Sequence, residues 1–342
     1  MQDFFKEKQP WTNFKHEILK KVIEHKVFAN QKSNLTYIDG LAGEGMYQDG
    51  EIGGPVVALN VFKDLLETNP DYDKLIQAVF FEYLPKSHEL LKEVLTQNKP
   101  NSPNINIYTK QGDFYNLLEQ ALYSKMGHTL VFIDPFNLKG YDTRAIDTIR
   151  KFDQKTDVLI YFPHFIFKKV VGAAQNNEGY KKTIRRSVNI EPEFTPEETF
   201  QKYRESLLEK FKAVNYIPLY NTKNGEIFRM MLCTNDCWLN MCYNDFKFNK
   251  NQNQVLATKE TIEDKVINSI PDEGGISYKN LLFQVTNDNF GDHKGKDYNH
   301  ALRSLLEDKR ICQKSNYNSN DESFDNKGIQ LNSAYNQFFR RL

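Results

Sequence analysis

Four acidic residues recur at places where short apolar runs give way to turns. They are Asp39 in "YIDGLAGEGMY" (37–47), Glu82 in "AVFFEY", Asp113 in "YTKQGDFYN" and Asp134 in "LVFIDPFN". The first is followed by Gly40, Gly43 and Gly45, a G-x-x-G-x-G spacing. A pyrophosphate cradle would need G-x-G-x-x-G, with its acid well downstream. Here the acid precedes the glycines, which disfavours a nicotinamide dinucleotide. A carboxylate at the end of a strand, beside glycines that allow close backbone approach, suits a ligand carrying positive charge and an amino-acid group instead. S-adenosylmethionine (SAM), with its sulfonium, is such a ligand.

The other acids extend this reading. Glu82 could accept hydrogen bonds from two ribose hydroxyls, and Asp113 from an adenine amino group, with Phe114 packing on the ring. Around the turn, Asp39, Gly40, Ala42, Gly43 and Gly45 would hold the cofactor. Asp134, Pro135, Phe136 and Asn137 would sit where a methyl group is delivered. There Asp134 accepts from an amine, Phe136 stacks on its ring and Asn137 offers a further acceptor. His164, in "YFPHF", would end the next strand and could serve as a base. For each acid taken alone, the competing reading is a helix N-cap or a solvated strand end, and Asp134-Pro135 is also an ordinary turn opener.

The elements that must position these residues can be read from periodicity. Residues 11–27 carry Phe14, Ile18, Leu19, Val22 and Ile23 at helical spacing, with Thr12 or Asn13 as the expected N-cap. Apolar runs then alternate with helical patterns through "DVLIYFP", which predicts five parallel strands covered on both faces. The expected class is α/β, a doubly wound, Rossmann-like, mostly parallel sheet. "EIFRMMLCTNDCWLNMCYNDF" reads as two strands about Asn235-Asp236, an antiparallel edge hairpin. A helical, basic insertion is expected over 165–225 and a flap over "DGEIGGP" (49–55). The first domain then spans 1–250, with a linker in "NKNQNQ" (249–254). Over 255–335, three amphipathic helices and short β pieces predict a small winged-helix domain.

The ordered set "YIDGLAGEGMY", "FFE", "QGDF" and "FIDPF" resembles a Rossmann-type, class I SAM-dependent methyltransferase. The D-x-L-A-G-x-G and D-P-F motifs are similar to those of N-methyltransferases acting on adenine or guanine of rRNA. One proline of their [DN]-P-P-[YFW] motif is absent here, and the aromatic residue has moved one place earlier. "KHEILKK" (15–21), residues 37–59 and "VFIDPF" together resemble the three-Cys-motif partner (TcmP) family, over roughly residues 10–310. The resemblance implies SAM as cofactor, nucleobase N-methylation in RNA or DNA as the activity, and a protein partner carrying a three-cysteine motif. It equally allows a non-catalytic SAM-binding or nucleic-acid- or protein-binding partner subunit, such as one of a defence system.

Forty-five basic residues balance 45 acidic ones, so nucleic-acid binding would have to come from local patches. Two are evident. Lys168, Lys169, Lys181, Lys182, Arg185 and Arg186, with Tyr180 interleaved, could track a backbone. Lys296, His300 and Arg303 share one face of the last predicted helix. Either patch could equally be a solvated helical face. Cys233, Cys237 and Cys242 are spaced C-x3-C-x4-C, and in a hairpin the third would lie too far along its strand to share a metal, so buried thiols and no metal are expected. The composition, 39% hydrophobic and 26% charged, is that of a globular chain. No run approaches the ~20 apolar residues of a membrane helix and the start lacks a secretory apolar run, so the expected location is cytoplasmic.

Overall fold

The computed structural model describes residues 10–29, 33–69, 71–152, 155–221, 225–250, 262–271, 276–308, 310–313 and 328–331. The chain divides into two compact units, residues 1–235 and 236–342.

The first unit opens with α1 (Pro10–Ala29) and β1 (Leu35–Asp39). Then α2 (Gly54–Thr68), β2 (Ile76–Glu82), α3 (Pro85–Gln97), β3 (Ile105–Gln111), α4 (Phe114–Tyr123), β4 (His128–Ile133), α5 (Arg144–Phe152) and β5 (Asp157–Phe162) alternate. Three helices follow, α6 (His164–Ala174), α7 (Glu178–Val188) and α8 (Pro196–Leu208), before β6 (Ala213–Tyr220) and β7 (Glu226–Thr234). The sheet order is β3-β2-β1-β4-β5-β7-β6. The five strands β1 to β5 run parallel to one another, while β7 pairs antiparallel with both β5 and β6. Every residue of β1, β2 and β5 is buried, as apolar runs covered on both faces must be. This is the doubly wound, mostly parallel sheet expected from the alternation of apolar runs and helical patterns. Its order reverses between β1 and β4, so the crevice opens at their carboxyl ends. Asp39 is the register partner of Phe132, which puts Asp39 and Asp134 on neighbouring strand ends.

The edge hairpin exists, but its strands differ from those expected. β6 and β7 form it, and "CWLNMC" is helical rather than extended. Asp236 decides this: its Oδ1 accepts from the amides of Trp238 (3.0 Å) and Leu239 (3.3 Å), the pattern of a helix N-cap rather than a hairpin turn. The expected insertion 165–225 is accordingly helical only as far as Leu208 and strand from Ala213. α1 begins at Pro10, ahead of the expected caps Thr12 and Asn13, with proline in the first turn where its missing N–H costs nothing.

The second unit contains α9 (Cys237–Lys250), α10 (Ile262–Asn268), β8 (Ile276–Ser277), α11 (Tyr278–Asp288), α12 (Gly295–Glu307), β9 (Ile311–Gln313) and β10 (Gly328–Leu331). Its three strands pair antiparallel in the order β8-β10-β9. The division between units precedes α9 instead of falling in 249–254, because α9 is bonded into the second unit. Asn244 donates to the His293 carbonyl (2.7 Å) and accepts from the Gly291 amide (2.7 Å), and Asp245 accepts from the Gly295 amide (2.6 Å). Residues 249 and 250 of the expected linker end this helix, and its remainder lies outside the described residues.

Candidate functional site

The glycine turn is built from its own amides. Beyond β1, the Gly40 amide donates to the Phe132 carbonyl (2.9 Å), Ala42 to Phe81 (2.8 Å) and Gly43 to Glu82 Oε2 (3.1 Å). Gly43 and Gly45 have φ of 67° and 80°, a left-handed conformation that side chains resist. The expected flap is a small closed loop, pinned by a Met46–Ile52 bridge and a Tyr47 amide to Glu51 carbonyl bond of 2.8 Å. It returns so closely that a Cβ at Gly53 would lie 2.8 Å from the Gly45 carbonyl oxygen. α2 then starts at Gly54 with Pro55 in its first turn.

A cleft opens over this turn. Asp39, Ala42, Gly43 and Gly45 line it from the turn, Gly53 and Gly54 from the start of α2, and Asp134, Pro135 and Phe136 from the end of β4. Trp11, Thr12 and Lys15 of α1, with Tyr47, Tyr161 and Phe228, complete the wall. Lys15 Nζ donates to Asp134 Oδ2 at 2.7 Å and lies 4.8 Å from the centre of the Tyr161 ring, which stacks on Phe228 at 4.1 Å.

Charge in the cleft is unevenly satisfied. Asp39 is 1% exposed; its Oδ1 accepts from the Leu41 amide at 3.3 Å, while Oδ2 is buried without a hydrogen bond of normal length, its carboxyl feeling the likewise buried Tyr37 hydroxyl only weakly. Burial first, and the nearby Asp134 charge second, push its carboxyl up to about 7, against the opposing pull of the Leu41 amide and Lys15. Burial alone would lower Lys15, but Asp134, Tyr47 and Asp39 more than reverse it, so the ammonium persists. An orphaned, buried carboxylate oxygen facing a glycine-walled space suits a positively charged ligand, and the fit to a sulfonium cofactor rests on it.

No protein-family model matches the chain, and no curated protein matches it. Among solved structures, the chain is similar to a protein from Legionella pneumophila at 14% identity and a TM-score of 0.36, over 64% of this chain and 85% of that one. It is also similar to the plantazolicin methyltransferase BpumL in complex with a monoazolic desmethylPZN analog and SAH, at 9% identity and a TM-score of 0.35, covering 66% and 86%. A third is the type I restriction-modification system methyltransferase subunit from Streptococcus thermophilus, at 11% identity and a TM-score of 0.32, covering 63% and 43%.

Several expected site residues lie outside the cleft lining. Glu82 is buried and turned to the backbone, accepting from the Gly43 amide and, at 2.8 Å, from the Leu84 amide. Asp113 is exposed and caps α4 through the Tyr115 amide at 2.8 Å. Phe114, 2% exposed, packs edge-on to Phe81 and Tyr115, and its ring fills the space a Cβ at Gly40 would need. In this arrangement Phe114 is a core residue rather than an open platform for a ring. Asn137 is exposed, and its Oδ1 caps the short 3-10 turn Leu138–Gly140 at the Gly140 amide, 3.0 Å away. His164 is 1% exposed at the start of α6, 3.5 Å from Glu226; burial, then Arg229, lowers it to about 3. It is a neutral core histidine and no base for the cleft.

Lys15 was not anticipated in this role. The available signal was a lysine on the apolar stripe of α1, whose neighbours Ile18, Leu19 and Val22 are buried. Lys26 repeats the pattern, pairing with Asp157 at 2.5 Å with both side chains at most 2% exposed.

Of the basic residues on the first unit, Lys168 and Lys169 lie exposed on α6, with Lys169 Nζ 4.2 Å from the Phe165 ring centre. Lys181, Lys182, Arg185 and Arg186 lie on α7, where Arg185 pairs with Glu178 and Glu191 and Lys181 with Glu178. Acids therefore neutralise part of that cluster. In the second unit Lys296, His300 and Arg303 are exposed together on α12, opposite the buried Tyr298, Ala301, Leu302 and Leu305. Cys233 is buried on β7; Cys237 and Cys242 belong to helix α9, not to a strand, with Cys237 buried. Among the described residues no group of three or more His, Cys, Asp or Glu could hold a metal, and no helix is long and apolar enough to cross a membrane.

Proposed function

We propose that the first unit is a SAM-dependent methyltransferase that modifies an exocyclic nitrogen of a nucleobase in RNA or DNA. The carrying observation is the orphaned Asp39 Oδ2 and the Lys15–Asp134 pair facing one glycine-walled cleft at the switch point of the sheet. SAM supplies an activated methyl group borne on a positively charged sulfur. The chain's part is to bind and to position. Asp39 provides the compensating charge, and the Gly43 and Gly45 turn gives close backbone approach. Lys15 engages Asp134 Oδ2, which leaves Oδ1 to accept from the acceptor amine and to take the proton its nitrogen sheds. Phe136, which lines the cleft, gives a flat ring an aromatic surface. Orientation of this kind supplies several kcal/mol of the barrier reduction without further chemistry. Glu82 and Asp113 keep free lone pairs beyond their backbone contacts, so ribose and adenine hydrogen bonds remain compatible with their structural duties.

The finer parts of the proposal follow the sequence resemblance to the three-Cys-motif partner family. The part of the second unit that follows α9, with its order helix, strand, helix, helix, strand, strand, serves as a winged helix presenting Lys296, His300 and Arg303 to nucleic acid. Lys168 and Lys169 contact backbone near the cleft. A partner protein carrying three cysteines and a cytoplasmic location belong to the same reading. One observation favours a rival, a SAM-binding subunit without catalysis: Asn137 is spent on a turn, and Asp134 already holds an ion-pair partner. Calorimetry of the full chain with SAM and with NAD tests the cofactor. Binding of SAM alone supports the proposal; binding of NAD, or of neither, removes it.

A further inference from the structure

The role of Lys15 beyond charge balance follows from where its ammonium is held. It is 7% exposed, fixed by the packed α1 stripe, 2.7 Å from Asp134 Oδ2 and against the Tyr161 ring. A lysine that served only phosphates would reach into solvent on its flexible stem. This one is confined in the cleft that Trp11, Phe136 and Phe228 also line, with its ammonium over the Tyr161 ring and beside Asp134.

We infer that Lys15 and Asp134 read one edge of the substrate base together. Asp134 accepts from the exocyclic amine, and Lys15 donates to the ring nitrogen beside it. This rests on the nucleobase reading above and sharpens it. A donor and an acceptor fixed side by side match an edge that presents an amine next to an unprotonated ring nitrogen, as adenine and cytosine do and as guanine does along N2 and N3. Thymine and uracil carry no exocyclic amine and are refused. The lysine thereby acts on specificity, because a base lacking that ring nitrogen leaves a buried ammonium without a partner for one of its protons.

The test uses the full-length protein, methyl-labelled SAM and short single-stranded oligonucleotides with one target base. The bases compared are adenine, 1-deazaadenine and 7-deazaadenine, then cytosine and 3-deazacytosine, then guanine and 3-deazaguanine, all of which keep the amine. For the wild type, kcat/KM is expected to fall roughly 10- to 100-fold on the deaza analogue that removes the recognised nitrogen, the range of a hydrogen bond to a charged donor. Lys15→Met is expected to be slow on every base and indifferent to that nitrogen, with SAM affinity within about threefold of wild type. Equal wild-type rates on parent and deaza bases overturn the inference while leaving base methylation standing, and need no variant to fold. Discrimination that survives in Lys15→Met, with SAM affinity lost instead, also overturns it and assigns Lys15 to the cofactor. Absence of transfer to every base removes both the inference and the reading beneath it.

Discussion

Lys15 Nζ lies 2.7 Å from Asp134 Oδ2, so a helix that precedes the sheet closes on the end of its fourth strand across 119 positions of sequence. The two partners are unequally buried, with side chains 9% and 23% exposed. Removing the carboxylate therefore strands a nearly buried ammonium, whereas removing the lysine leaves a carboxylate that water can reach. Asp134→Ala is expected to cost stability of about 1–3 kcal/mol and Lys15→Met less, which denaturant unfolding will rank.

The same substitution separates binding from chemistry. Asp134→Ala is expected to lower kcat/KM for methyl transfer roughly 100- to 1,000-fold, the scale of losing a group that works only in the transition state, with SAM affinity within about threefold. Calorimetry and a label-transfer assay on the same preparation check this.

Asp39 gives the site a pH dependence. Its carboxyl titrates near 7 in the folded chain against 3.8 for an ordinary aspartate. The folded state therefore binds the extra proton between those values, and Asp39 favours folding at low pH but loses that contribution as pH rises from about 4 to about 7, an effect of roughly 4 kcal/mol. A cationic ligand needs the ionised form, so SAM affinity runs the other way. It is expected to rise roughly tenfold per pH unit below about 7 and to level above it. In Asp39→Asn both trends should vanish, as read by melting and calorimetry across pH.

Two glycines near the turn should behave differently. A methyl at Gly53 would lie 2.8 Å from the Gly45 carbonyl oxygen, a backbone atom that cannot step aside, whereas Gly50, with φ of 87°, faces open space. Gly53→Ala is expected to shift the loop and weaken SAM binding by about 1–3 kcal/mol. Gly50→Ala should cost about 1 kcal/mol of stability through its dihedral alone and leave binding intact. Thermal melts with and without SAM distinguish the two.

Lys26 and Asp157 form the buried counterpart of the cleft pair, with Thr234 Oγ1 donating to Asp157 Oδ1 at 2.5 Å. Lys26→Met should destabilise the first unit by roughly 3–5 kcal/mol, since Asp157 stays buried without its cation. Urea titration of the full chain checks this, and SAM affinity of the folded fraction should not change.

Much of this architecture was legible because the covered strands of a parallel sheet must be almost wholly apolar, which left Asp39, Glu82 and Asp134 conspicuous at their ends, while Asp113 follows the half-exposed edge strand β3 and stood out only by its place after Gly112. Which way those acids turn was not legible. Glu82 faces the turn because two amides at Gly43 and Leu84 need an acceptor, and Asp113 caps α4 because that helix starts one residue later. "CWLNMC" satisfies both a helical and an extended pattern, and only the bonds made by Asp236 choose between them. Lys15 was the residue hardest to place, since its partner is set by how α1 docks on the sheet, and a lone lysine on an apolar stripe names no partner.

Whether Asp134 presents a base amine for methylation in the Asp39 cleft is decided by incubating the full chain with methyl-labelled SAM and bulk RNA or DNA, followed by digestion to nucleosides. Label is expected on the exocyclic nitrogen of adenine, cytosine or guanine with the wild type, and its loss with Asp134→Ala. Label on ribose, on a ring carbon or on protein, or equal label with Asp134→Ala, would contradict it.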